Sequence, residues 1–161
     1  MSLLVARPSP LDDGRQSPAA ASLQRGVRRL FAGLGHASVT ELTLASGRRA
    51  DVVALAPDGT LTIVEIKSSV VDFRTDGKWH TYRDFCDRLH FAVGHDFPTE
   101  ILPEDVGIIV ADAYGAAILR EAPVHPLAGA RRKAVTLRFA QAAAARLHAL
   151  SDPEAAAGLG L

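Results

Sequence analysis

The sequence predicts an α/β domain with a mixed central β-sheet flanked by helices, and three observations predict it. Ala50–Ser69 reads as two apolar runs joined by Pro57-Asp58-Gly59, with charges only where the first run starts and the second ends. Val52, Val53, Leu55, Leu61, Ile63, Val64 and Ile66 put bulk on both faces of those runs, as interior strands require. Apolar stripes of helical period lie on either side, over 19–34 and in the segment reaching Leu150. A second strand pair, Val106–Ala111 and Ala116–Glu121 across an Asp112–Gly115 turn, extends the sheet. The expected order is helix, strand, hairpin, helix, strand, hairpin, helix.

A chain of 161 residues with 48% hydrophobic content is one domain with a substantial core. Residues 1–18 carry Pro, Gly, Ser and Asp without periodicity and read as a disordered leader, 19–150 as the domain, and 151–161 as a flexible tail. Basic and acidic residues balance at 18 each, so binding to nucleic acid has to come from local patches rather than bulk charge. One cysteine permits no internal disulfide. The six histidines fall in no HxH, HxxxH or HExxH arrangement, which argues against a zinc enzyme. With no apolar run long enough to span a bilayer, the expectation is a soluble, cytoplasmic protein without membrane partners.

In the first helix Leu23, Val27, Leu30, Phe31 and Leu34 form the apolar stripe, and Arg25, Arg28 and Arg29 fall on the other side. Those arginines are either a solvated face or phosphate contacts beside a site. Gly33-Leu34-Gly35 follows a helix and lacks a third glycine, so it ends the helix and is no dinucleotide loop. Val39–Leu44 alternates as a strand, with Glu41 either a site carboxylate or an exposed strand polar group. Arg48 and Arg49 precede Asp51, where one of them balances the acids or touches phosphate.

The hairpin carries the chemistry. Pro presets φ and Gly accepts φ > 0, so the chain folds about Asp58 and sets position 51 opposite position 65. Residues two apart share a strand face, so Lys67 joins Asp51 and Glu65. Two carboxylates in a partly dry place repel one another. A divalent cation resolves the conflict: Mg2+, with Mn2+ as a substitute, takes oxygen ligands, here Asp51, Glu65 and the Ile66 carbonyl. Lys67 would orient or deprotonate a water, or hold a phosphate. The bland alternative is a solvated hairpin rim with an incidental Glu–Lys pair.

Val70–Gly77 reads as a polar connection and Lys78–Leu89 as a helix whose Trp79, Tyr82, Phe85 and Cys86 pack on the sheet. Lys78 and Tyr82, four apart, align on one side of it, as phosphate contacts or as core aromatics with a snorkelling lysine. Cys86 reads as a small buried hydrophobe, and Asp84, Asp87 and Arg88 as structural ion pairs. Leu89–Val93 is a short strand, and Asp112 caps a turn. Arg131-Arg132-Lys133 is either the flank of the last helix or a DNA-backbone anchor. In that helix Leu137, Ala140, Ala144 and Leu147 recur at helical spacing and read as its packing face.

The pattern D-(x13)-E-x-K formed by Asp51, Glu65 and Lys67 resembles the active-site motif of the PD-(D/E)XK nuclease superfamily. Arg48-Arg49-Ala50-Asp51-Val52-Val53, Val64-Glu65-Ile66-Lys67-Ser68-Ser69, Asp76-Gly77-Lys78-Trp79, Tyr82-Arg83-Asp84 and Cys86-Asp87 leading into Phe91-Ala92-Val93 together resemble the MmcB-type DNA repair family, a bacterial branch of that superfamily, over residues 22–148. The resemblance implies a restriction-endonuclease-like fold with an α-β-β-β-α-β core. It also implies Mg2+-dependent hydrolysis of DNA phosphodiesters that leaves a 5′-phosphate. Many members use a further upstream Glu, often on the preceding helix, and Glu41 is the candidate here. RecB-like members carry Gln-x-x-x-Tyr after the E-x-K strand, where this chain has Lys78 and Tyr82.

The expectation is therefore a metal-dependent DNA nuclease in repair. Asp51, Glu65, Lys67 and Glu41 would be catalytic, with Arg28, Arg49, Lys78 and Tyr82 on DNA. A partner repair protein that delivers the enzyme and a pairing of two copies both fit this reading. A non-catalytic DNA-binding or adaptor module that kept the fold is the alternative, and an enzyme on RNA or small nucleotides is a third.

Overall fold

In the computed structural model, which describes residues 16–158, six strands form one mixed sheet in sequential order β1 to β6. These are Ala37–Thr43 (β1), Arg49–Leu55 (β2), Leu61–Ile66 (β3), Arg88–Val93 (β4), Gly107–Ala111 (β5) and Ala116–Arg120 (β6). β1, β2 and β3 are antiparallel neighbours; β3, β4 and β5 run parallel; β6 returns antiparallel to β5. Helices are Pro18–Gly33 (α1), Val70–Thr75 (α2), Gly129–Ser151 (α3) and Pro153–Gly158 (α4). A mixed α/β domain with a flanked six-stranded sheet is thus what the strand patterns foretold.

All six residues of β3 are buried, which explains why its sequence is a continuous apolar run rather than an alternating one. Its even-numbered positions join Val52, Ala54 and Ala92 beneath Leu23, Val27 and Phe31 of α1. Its odd-numbered positions Leu61 and Ile63 join Val53, Leu89 and Phe91 on the opposite face, under Tyr82, Phe85, Val135 and Phe139. Glu65 belongs to that odd-numbered series and is a carboxylate where the pattern calls for an apolar side chain.

Several expectations need correction. Val70–Gly77 is not a plain polar connection, because Ser69 caps α2 by accepting from Asp72 N at 3.0 Å. Lys78–Leu89 is not an α-helix but a 3-10 segment, Trp79–Phe85, that gives way to β4 at Arg88. The stripe Leu137, Ala140, Ala144 and Leu147 is not the packing face of α3: Leu137 and Leu147 are 53% and 67% exposed. Val135 and Phe139 are buried instead, with Ala142 and Ala143 beside them, while Arg146 donates to the carbonyls of Thr40 and Glu41 and ties α3 to β1. Leu34 is likewise exposed at the end of α1. In the stretch read as a fraying tail, α4 begins after Asp152, whose carboxylate accepts from Ala155 N. The leader lies outside the described residues up to 15, and α1 starts at Pro18 with Ser17 as its cap.

Of the residues read as structural ion pairs, Asp87 and Arg88 form them, whereas Asp84 is exposed and forms none among the described residues. Arg132 binds buried Asp87 through two bonds of 2.6 and 2.7 Å. Asp87 also accepts from the backbone N–H groups of Leu61 and Leu127. Arg131 stacks its guanidinium 4.9 Å from the Phe85 ring, and Arg88 pairs with Glu121. Cys86 is buried, and burial pushes its thiol up to about 12, far from a nucleophile's range. Asp112 accepts from Tyr114 N and Gly115 N and caps the β5–β6 turn. Among the described residues no helix is long and apolar enough to cross a membrane.

A candidate active site at the end of the β2–β3 hairpin

The pairing of Val52 with Val64 and Val53 with Ile63 continues to place Asp51 opposite Glu65. Thr40 and Leu42 of β1 pair with Val52 and Ala50, so Glu41 completes a row of three acids across three strands. Asp51 Oδ2 accepts from Ile66 N at 2.7 Å, and Glu65 Oε1 accepts from Asp51 N at 3.1 Å. Each carboxylate is therefore fixed by the other strand's backbone. They line one end of an open cavity of about 390 Å3, together with Glu41, Arg49, Ile66, Lys67 and Tyr82. Ser17, the cap of α1, and Ala20 within that helix line it too.

Burial is the main cause that lifts Asp51 above its ordinary value, opposed by the Ile66 N–H and by Lys67. Glu65, only 4% exposed, is raised further, by burial first and by the charge of Asp51 second. Ionising both carboxyls together in this buried place is therefore unfavourable without a cation. Lys67 is 5% exposed and its ammonium meets Asp76 Oδ2 at 2.7 Å. Burial acts to raise Asp76, but its bonds to Lys67 and to Lys78 N outweigh that and hold it below its ordinary value.

The donor set suits magnesium. Among the described residues no three His, Cys, Asp or Glu side chains converge on one point, so the acids on offer are the Asp51–Glu65 pair. Mg2+ is commonly held by one or two carboxylates with waters filling its octahedron. Asp51 and Glu65 would hold a divalent ion between them, and Ile66 lines the same cavity.

Glu41 lines the cavity without joining the pair. Its side chain meets Arg49 Nε at 2.7 Å, and its backbone has φ +50, left-handed for a non-glycine residue. Arg49 therefore pairs with Glu41 at the cavity. Tyr82 points its hydroxyl at the Arg49 carbonyl, 3.0 Å away, with Arg48 stacked 5.4 Å from its ring centroid. Burial, followed by the charges of Glu65 and Asp51, drives the Tyr82 pKa upward, so it stays a neutral phenol.

Lys78 and Tyr82 do not align as they would on an α-helix. Lys78 is exposed at the start of the 3-10 segment and does not line the cavity. Arg28 lies outside it too, donating through Nε to Ser38 Oγ at 3.2 Å. Sequence reasoning missed Asp76 as the partner of Lys67, and Asp72, which lines the cavity and accepts from Ser68 N. The Asp72 signal was present as Ser69-x-x-Asp72, a helix-start pattern.

No curated protein matches the chain. A solved structure of a protein of unknown function from Silicibacter pomeroyi is similar at 46% identity and a TM-score of 0.83, covering 87% of this chain and 95% of that one. A family model for MmcB-like DNA repair proteins matches residues 7–154, which takes in every strand, the acid row and Lys67. With the match spanning nearly the whole domain, this chain belongs to the MmcB-like DNA repair protein family.

Proposed function

We propose that the chain is a magnesium-dependent phosphodiesterase that cuts DNA during repair. The observation that carries this reading is the Asp51–Glu65 pair, each carboxylate held by the opposite strand's backbone, with Lys67 in the same cavity. The element order α1, β1, β2, β3, α2, β4 supports it, since it follows the α-β-β-β-α-β order of the PD-(D/E)XK fold that the motif resembles.

When bound, the metal would supply Lewis acidity toward a phosphoryl oxygen. Asp51 and Glu65 would hold it, and their backbone bonds to Ile66 N and Asp51 N keep both carboxylates from swinging away. Lys67 is an ion-paired donor, which suits it to orienting a water or a phosphate oxygen rather than to taking a proton. Arg49 and Tyr82 line the cavity, with Arg49 able to exchange Glu41 for a phosphate.

A second reading, a DNA-binding module without turnover, draws on the Lys67–Asp76 and Arg49–Glu41 pairs, which satisfy the site's cations internally. The two separate in a cleavage assay on labelled duplex, flap, junction and single-stranded DNA, with Mg2+ or Mn2+ and with Glu65→Ala and Lys67→Ala as controls. Metal-dependent cutting that both substitutions abolish is the expected result. Binding without cutting in all three proteins would establish the module instead.

A further inference from the structure

The sheet presents a second feature at the same end as the acid cavity. Because β3, β4 and β5 run parallel, the cavity at the C-terminal end of β3 and the turn after β5 share one end of the sheet. β3, which carries Glu65, and β5 are two strand spacings apart, about 10 Å. That turn carries Tyr114, whose side chain is 83% exposed.

The turn is held rigidly against α1. Gly26 packs so closely on it that a Cβ there would lie 2.1 Å from the Asp112 carbonyl oxygen and 2.4 Å from that of Gly115. Asp112 Oδ1 ties down Tyr114 N and Gly115 N at 2.8 and 3.0 Å. Arg29 Nη1 donates to the Tyr114 carbonyl at 3.1 Å, and Arg25, one helical turn earlier, is exposed on the same helix. α1 has no acidic residue along Pro18–Gly33, so nothing on that helix neutralises these cations.

We propose that Tyr114, Arg25 and Arg29 form a docking platform for an unpaired DNA strand, a base stacking on the ring while the guanidinium groups follow the backbone. This inference rests on the DNA reading above and names its substrate class. A free base offers an open π-face to an exposed aromatic, whereas duplex bases are already stacked within the helix. The spacing of about 10 Å corresponds to about three stacked nucleotides. A strand anchored on Tyr114 thus reaches the acid pair within a few phosphates. Substrates with a single-stranded arm beside the cleaved bond, flaps and gaps, meet that geometry.

The test uses the full chain carrying Glu65→Ala, without metal, and a short labelled oligonucleotide as single strand or as duplex, read by fluorescence anisotropy. Adding Tyr114→Ala should weaken single-strand binding by about tenfold and leave duplex binding unchanged, while Tyr114→Phe retains it. Arg25→Ala with Arg29→Ala should reduce the slope of log affinity against log salt on single strands by about 1.4. Thermal melts check that each variant is folded, and the Phe variant controls for disruption of the turn. Equal single-strand affinity with and without the Tyr114 ring overturns the platform, and so does a loss shared equally by duplex. Failure of the parent to bind either DNA overturns the DNA reading together with it. Tyr114-dependent binding in a protein whose wild type never cuts would overturn the nuclease reading alone.

Discussion

Lys67 owes its position to a residue nine places downstream. Asp76 accepts from the ammonium through Oδ2 and from Lys78 N through Oδ1, so one carboxylate links the catalytic candidate to the start of the 3-10 segment. Asp76→Asn keeps the size and an acceptor but removes the charge that fixes the ammonium. In the proposed nuclease it should lower kcat by about tenfold or more with the Mg2+ concentration for half activation unchanged, because the carboxylate pair is untouched. A fall confined to thermal stability, with kcat intact, would make Asp76 a structural partner only. Asp51, Glu65 and Lys67 were legible from sequence because a strand has period two and a tight Pro-Asp-Gly turn leaves one register. Asp76 was not, since it reaches Lys67 only after α2 and a turn have folded back. Glu41 was half legible: its row followed from the strand, but its left-handed backbone and its pairing with Arg49 did not.

At the scale of elements, short or alanine-rich segments are where the sequence misleads. α2 has six residues, too few to display a helical period, and the 3-10 segment places its aromatics at three-residue spacing, which mimics an α-helix. α3 offers two helical stripes, and the one with Leu137 and Leu147 looks the more apolar. Phe139 and Val135 win because they join the buried cluster that holds Val39 and Leu42 of β1 and Phe85, while Arg138 and Arg146 anchor the helix to β1 carbonyls. α1 gives a sharper test of which effect dominates. Gly26→Ala gains about 1 kcal/mol of helix propensity in isolation. The added Cβ would meet two carbonyl oxygens of the β5–β6 turn, and backbone cannot yield as a flexible side chain does. The net effect should be destabilising by about 2 kcal/mol, read as a lower denaturation midpoint with the same m-value. A stabilised variant would show that α1 does not rest on the turn as described.

For the whole molecule, acids displaced in opposite directions give stability a pH dependence that separates site from scaffold. Asp87 lies below its ordinary value: burial acts to raise it, but the Arg132 pair and the two backbone donors outweigh that. Its contribution is present above the unfolded value of 3.8 and is lost as pH falls through the folded one. His90, which burial pulls down to about 4, acts in the same sense, because the unfolded chain takes up its proton first as pH drops. Glu65 is the reverse case. Its folded pKa is above 4.5, so the native state holds a proton that the unfolded chain has released, and stability declines as pH rises through that window. Subtracting Glu65→Gln from wild type cancels the scaffold terms, since the amide oxygen still accepts from Asp51 N. The variant should melt a few degrees above wild type at pH 8, and the difference should close by about pH 4. Saturating Mg2+ should raise wild-type Tm at pH 8 by about 5 °C or more and leave the variant nearly unmoved, because the ion offsets the repulsion between the two buried carboxylates. Melts at both pH values, with and without Mg2+, decide it. A variant that melts lower at pH 8 would make Glu65 a stabilising ion-pair member, and equal Mg2+ shifts in both proteins would place the ion elsewhere on the surface.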